Sequence, residues 1–135
     1  MPSEITPEQQ AENRKRAEAC FARGKTLADI GSYEQAIDTC IQGLHFDPDN
    51  VEGHQHLRRI ALERKAHGGR DIAWAERMKL PAVKQQMGPM LAAEKLLAYT
   101  PDDRSRMTDF FKAAEATGAA ATAAWVRLIL KTGRG

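Results

Sequence analysis

The side chains of this sequence that could do chemistry are four histidines, two cysteines and a few closely spaced aspartates, and their spacing decides what each can do. His54 and His56 lie two residues apart. On a helix that turns them about 200° from each other, so they cannot hold one metal together. His45 and His67 have no cysteine or histidine at ligand spacing, and no metal site is expected. Cys20 and Cys40 are too few for a disulfide framework and are spaced unlike a CxxC pair, which points to free thiols in a reducing, cytoplasmic setting. Both fall on apolar helical stripes, where a free cysteine behaves as a small hydrophobe. The pairs Asp47/Asp49 and Asp102/Asp103 sit at turns, where capping and solvation account for carboxylates without catalysis. No GxGxxG, GxxxxGK[ST], GxSxG or HExxH occurs, and the glycines at 68, 69, 88, 133 and 135 follow no strand. The sequence therefore predicts no catalytic residue, no cofactor and no enzyme.

Charge gives little direction to the search for a partner. Lys and Arg number 20 against 18 Asp and Glu, a formal net charge of +2, which compels neither nucleic acid nor an anionic membrane. The basic run Asn13-Arg14-Lys15-Arg16 has no interleaved aromatics and reads as a solvated helix face. The longest apolar stretch, 119–130, carries Arg127 and falls short of the roughly 20 residues a membrane span needs. The start MPSEITPEQQ has acidic residues and no apolar core, unlike a secretory signal. A protein partner is expected, with no nucleic acid and no membrane. Hydrophobic residues at 42%, charged at 28% and aromatic at only 6% describe one helical domain over residues 1–135 with a thin core.

Local signals divide that domain. Thr6-Pro7-Glu8-Gln9 is a capping box with proline in the first turn, so a helix is expected from about Pro7 to Ile30. Gly31 can end it in the left-handed conformation, and Ser32-Tyr33-Glu34-Gln35 predicts a second capping box at once. Tyr33, Ala36, Ile37, Cys40, Ile41 and Leu44 then recur at helical spacing up to Phe46, and Asp47-Pro48-Asp49-Asn50 breaks the chain with Asn50 as the next cap.

Gly24, Leu27, Gly31, Tyr33, Ala36, Leu44 and Pro48 fall in the order and spacing of a tetratricopeptide repeat, and GSYEQAIDTCIQGLHFDPDN resembles the second half of that motif. The resemblance implies an all-α fold of about six helices in antiparallel hairpins stacked as a short α-solenoid, and a segment of a bacterial tetratricopeptide protein. It implies a first hairpin over 7–50, with Gly24 against Ala36 at the closest crossing, and the first helix of a second repeat over 51–67. Arg58 stands there where the family has a small residue, so the following helix should open wide. Pro101 matches Pro48 but lies 53 residues on, about 19 beyond one repeat of about 34. The excess is expected as an irregular insertion over 68–87, followed by the end of the second repeat over 88–103, with Pro89 restarting a helix. A third hairpin, 104–133, carries Met107, Phe110, Phe111 and Ala114 on one stripe, a turn at Gly118, and a last helix that is apolar nearly all round.

In this family the first helices of successive repeats line a concave groove for an extended or helical peptide. The resemblance thus implies a non-catalytic interaction module or scaffold whose partner-binding residues are Glu18, Phe21, Lys25 and Asp29 from the first repeat and Glu52, Gln55, Arg59 and Glu63 from the second, with Phe21 as apolar anchor. Phe21 and Lys25 replace the lysine and asparagine of the family's carboxylate clamp, so that clamp is absent. A terminal solenoid helix normally turns a polar face outward, and this one does not. The alternative is therefore an assembly piece that self-associates or meets further repeats through Trp125, Leu128 and Ile129.

Overall fold

The capping box at Thr6 forms as its sequence implies: Gln9 N–H donates to Thr6 Oγ1 at 3.1 Å and Thr6 N–H donates to Gln9 Oε1 at 3.0 Å. It starts α1 (Pro7–Asp29), the longest element of a computed structural model that describes residues 5–132. Gly31, at φ +83°, then turns the chain, with Ser32 N–H donating to Leu27 O and Gly31 N–H to Ala28 O. These two bonds satisfy carbonyls that the helix end would leave orphaned, and the positive φ is open to glycine at no steric cost. Helix α2 (Tyr33–Phe46) follows and returns antiparallel along α1. The second capping box does not form: Ser32 makes no side-chain cap bond, its backbone at φ −87° and ψ 65° lying outside the extended conformation that Thr6 and Asn50 adopt at their caps.

Asn50 caps α3 (Val51–Ala66), its side-chain oxygen accepting from Gly53 N–H at 3.0 Å. Residues 68–87 are not irregular throughout, contrary to the expectation from sequence. They hold a single turn, α4 (Trp74–Arg77), and a two-turn helix, α5 (Leu80–Met87), where Pro81 sits in the first turn and suits it. Gly88 at φ +95° breaks the chain, and α6 (Pro89–Tyr99) restarts at Pro89. The third hairpin is α7 (Arg104–Thr117) and α8 (Ala120–Thr132), joined at Gly118 by the same pair of turn bonds that Gly31 makes. The architecture is all-α, helical hairpins packed on one another, with eight helical elements among the described residues rather than six.

One apolar core runs through these layers. Ala17, Phe21 and Ala28 of α1 meet Ala36, Ile37, Cys40 and Leu44 of α2, and Leu57 and Ile60 of α3 continue to Leu91, Leu97 and Ala98 of α6, then Met107 and Phe110 of α7 and Val126 of α8. At the first crossing a β-carbon on Gly24 would stand 2.7 Å from Cys40 Sγ and 3.4 Å from Ala36 O. The close approach is thus to the Ala36 backbone and the Cys40 thiol together. Charged groups knit the outer layer. Arg64 lies over the Tyr99 ring at 4.6 Å and donates to Glu34 at 2.8 Å, joining α2, α3 and α6. Lys95 pairs with Asp38 and Glu76, and Arg106 with Asp71, so both carboxylates of the segment before α5 are turned toward the body. Helix α8 does not contact its own hairpin alone; it also reaches α3.

Candidate functional site

A wide opening lies between α1 and the start of α3. It is a cleft of about 570 Å³ whose walls are Arg14, Glu18, Phe21, Ala22 and Lys25 on one side, and Asp47, Asp49, Asn50, Glu52 and His56 on the other. The spacing of the α1 wall, 14, 18, 21, 22 and 25, is one helical face. The opposite wall is built by the Pro48 turn: Asn50 Nδ2–H donates to Asp47 at 3.2 Å, and Glu52 and His56 follow one turn apart on α3.

The cleft floor depends on two glycines. A β-carbon at Gly53 would overlap the Phe21 ring, and one at Gly43 would stand 2.8 Å from it, so the absence of side chains on α2 and α3 makes the notch that Phe21 fills. Phe21 stacks on His56 with ring centroids 6.2 Å apart and planes 21° from parallel. The reading of Phe21 as an apolar anchor offered to a ligand is corrected by this packing: it is 5% exposed, its area already used in joining α1 to α2 and α3. His56 is held below the ordinary imidazole value, first by burial and then by the charge of Arg59. It presents a neutral ring at physiological pH.

Of the eight residues that the sequence points to, the structure brings Glu18, Phe21, Lys25 and Glu52 to the cleft wall. Asp29 is exposed and holds Lys25 in an ion pair of 3.2 Å. Arg59 lies beside the cleft with Nη1 3.4 Å from His56 Nδ1, while Gln55 and Glu63 are exposed and line none of it. Arg14, Asp47, Asp49 and His56 were not among the eight. Arg14 is one turn before Glu18, and His56 is one turn after Glu52, so helical spacing from those two residues could have found both. Asp47 and Asp49 gave no such signal, since turn carboxylates have an ordinary structural use.

The cleft walls carry four carboxylates and two cations, with Glu18 on the α1 wall beside Arg14 and Lys25 and the other three carboxylates opposite. One of these carboxylates also serves a distant helix, since Asp49 accepts from Thr122 N–H at 2.8 Å, Thr122 Oγ1 at 2.7 Å and Ala121 N–H at 3.3 Å. It thereby caps the start of α8, where the helix dipole also favours a negative charge. Burial works to raise the Asp49 carboxyl, but the bonds from Thr122 and Ala121 outweigh it and hold it below the ordinary carboxylate value.

Directly behind this turn lies His54, 0% exposed. Its Nε2–H donates to Pro48 O at 2.7 Å, and its Nδ1–H faces the Glu94 carboxylate at 2.7 and 2.9 Å. Both partners offer acceptor oxygens, so the site favours the doubly protonated ring and raises His54 above its ordinary value. His54 also abuts the rings of Phe110 and Trp125. Its place is thus structural, at the meeting of α3, α6, α7 and α8, and its Glu94 partner 40 residues away left no local signal in the sequence. Arg58 donates to Pro101 O at 3.1 Å from the end of α6, while its Nε and Nη2 are buried without a partner.

The last helix holds Trp125 and Ile129 half-buried against the core and Leu128 at 61% exposure. Gly133, where the sequence places the end of that helix, lies outside the described residues. Among the described residues no group of three His, Cys, Asp or Glu is placed to hold a metal, and no helix is long and apolar enough to cross a membrane. No protein-family model matches this chain, and neither a curated protein nor a solved structure does.

Proposed function

We propose that this chain is a non-catalytic protein-binding module built of tetratricopeptide-like hairpins, and that the α1–α3 cleft receives a peptide or helix of the partner. The observation that carries this reading is the cleft itself. It has the volume of a ligand site, its walls come from first helices of two successive hairpins, and its rim is of long polar side chains around the half-buried His56 ring. The Gly24, Gly31, Ala36 and Pro48 pattern of the first hairpin supports the family likeness, since each residue stands where that motif needs a close crossing or a turn. Three titratable groups with perturbed protonation lie at or behind the cleft, and their contacts support a non-catalytic role: Asp49 and His54 are occupied in holding helices together, and His56 stacks on Phe21.

A phage-displayed random peptide library panned on the immobilised full chain tests the proposal. Selected peptides should lose at least about tenfold in affinity toward a Glu18→Lys, Glu52→Lys variant, a loss of about 1.4 kcal/mol, and bind a Leu128→Ser variant unchanged. Peptides that bind the cleft variant as well as the parent reject the site.

A second reading rests on Leu128. With Leu128 exposed beside the half-buried Trp125 and Ile129, α8 has an apolar strip suited to docking another chain or further repeats. Loss of binding in Leu128→Ser alone, in the same panning series, favours that strip.

A further inference from the structure

The segment before α6 carries the most exposed large apolar side chain among the described residues, Trp74, at 75%, with Met78 at 61%. Met78 N–H donates to Trp74 O at 3.0 Å, so the two residues are one helical turn apart and share a face. The charges around them are sorted by sign. Asp71 is drawn to Arg106 at 2.7 Å, and Glu76 to Lys79 and the nearly buried Lys95. Arg70, Arg77 and Lys84 are exposed and form no ion pair among the described residues. What is exposed is thus an apolar tip, tryptophan and methionine, on a segment whose charges outside ion pairs are all cationic. Trp, Met and Arg are also the residue types over-represented at protein interfaces, and tryptophan anchors supply much of the binding energy where they occur.

The α1–α3 cleft has the opposite character. Glu18 and Glu52 are exposed on its walls and in no ion pair among the described residues, Asp47 and Asp49 stand beside them, and one of its two cations, Lys25, is already held by Asp29. Its floor is the His56 ring, half-buried and backed by the buried Phe21. No residue of α4 lines this cleft, and α4 is fastened instead beside α2 and α6 through Glu76, Lys95 and Asp38. Tip and cleft therefore belong to different faces of one molecule.

We propose that the Trp74–Met78 tip of one copy of this chain seats in the α1–α3 cleft of a second copy, with Arg70, Arg77 and Lys84 meeting Glu18 and Glu52. The inference rests on reading the cleft as a binding surface and names its occupant. The interface is heterologous, so it joins copies head to tail and leaves a free tip at one end and a free cleft at the other. It is small, its contact centred on a single tryptophan of about 150–250 Å². It therefore belongs to the weak class, in which association is read at about 10 µM to about 1 mM protein.

Sedimentation equilibrium of the full chain over that range, at low and at high salt, tests it. The parent should show a weight-average mass that rises with concentration, and rises less at high salt, since the cation and carboxylate contacts are at the rim. Trp74→Ala and Glu18→Lys, Glu52→Lys should each remain monomeric, with circular dichroism showing both folded. An equimolar mixture of the two should form a heterodimer, because one variant keeps an intact cleft and the other an intact tip. A parent that stays monomeric at every concentration overturns the self-association and leaves the cleft to the peptide panning. Binding of that monomer to phosphatidylserine vesicles through Trp74 assigns the tip to a membrane surface instead. Association that survives the cleft variant but not Trp74→Ala overturns the cleft as the seat of the tip and leaves it to the peptide panning. Association that survives both and is lost in Leu128→Ser moves it to α8.

Discussion

His54 shows how one buried side chain can tie four helices, and its protonation makes that tie depend on pH. Burial pulls the imidazole down from its ordinary value of 6.5, but the charge and hydrogen bond of Glu94, the Pro48 carbonyl and the charge of Asp49 outweigh burial and raise it. A group whose folded value is raised binds its proton more tightly in the folded chain. Its contribution is therefore fully present below 6.5 and is lost as pH rises through the folded value. Cys40 and Tyr99, both pushed up to about 12 by burial, do not titrate in the folded chain over that window. Glu94→Gln should cost about 3–5 kcal/mol near pH 6, since removing one partner strands a buried charge. The gap between parent and variant in urea midpoint should narrow as pH rises above 6.5 and through the raised folded value of His54. A gap that is constant with pH would show that His54 is neutral throughout.

Asp49 is the second residue whose work is visible only in three dimensions. It caps α8 from a turn 73 residues before Thr122, using both carboxylate oxygens. Asp49→Ala should lower global stability by about 1–2 kcal/mol, the usual cost of losing a helix cap. Amides in the first turn of α8 should also exchange faster with solvent, with those of α2 unchanged. If α8 keeps its protection in that variant, α7 alone positions it.

At the scale of elements, the first hairpin is governed by the crossing of α1 and α2. Gly24 has no room for a β-carbon: Cys40 Sγ would be 2.7 Å away and the Ala36 carbonyl 3.4 Å. Gly24→Ala should therefore destabilise by about 1–3 kcal/mol through overpacking. Because the nearest atom is a sulfur, Cys40→Ala in the same chain should return part of that loss, and a double-mutant cycle by urea unfolding measures the coupling. Full additivity of the two changes would place the strain on the Ala36 backbone instead.

Helices α4 and α5 are held differently. Among their residues and those of the loop before them, Ile72 alone is buried; side-chain pairs at Asp71–Arg106 and Glu76–Lys95 fasten α4 and its loop, and α5 rests on α6 with Leu80 and Met87 half-buried. Few buried contacts mean a low free energy of local opening. Amides of residues 68–87 should exchange faster than those of 33–46, and Arg106→Met should speed them further by releasing Asp71. Equal protection in the two segments would mean that these contacts anchor this region as firmly as the core anchors α2.

For the whole molecule, the consequence of this wiring is a body with a mixed-charge cleft on one face and a cationic, tryptophan-tipped segment on another. Much of the framework was legible in the order of residues. Thr6-Pro7-Glu8-Gln9, the glycines at 31 and 118, Asn50 and the Gly88-Pro89 break are local signals, because capping and turning are decided by backbone groups within a few residues. The stripes Tyr33 to Leu44 and Met107 to Ala114 follow from helical periodicity alone. The sequence by itself thus determined that the chain is helical, where its main helices start and stop, and which face of each is apolar.

Tertiary structure decided what those faces meet. Phe21 reads as an accessible aromatic on a groove helix, yet the missing side chains of Gly43 and Gly53, 22 and 32 residues away, open a notch that takes it into the core. Ser32 has the type and spacing of a capping residue, yet the turn at Gly31 delivers it at φ −87° and ψ 65°, outside the extended conformation of a cap. The Leu80–Met87 helix is short and flanked by turn residues, so its pattern is weak; it is stabilised by packing on α6. His54 with Glu94, and Asp49 with Thr122, are separated by 40 and 73 residues, and no periodicity connects them. Local propensity acts through bonds a few residues long, whereas burial and charge pairing act between groups that only the packed chain brings within about 3 Å. That difference in range is why the helices could be read along the chain while the cleft, its floor and its occupied carboxylate could not.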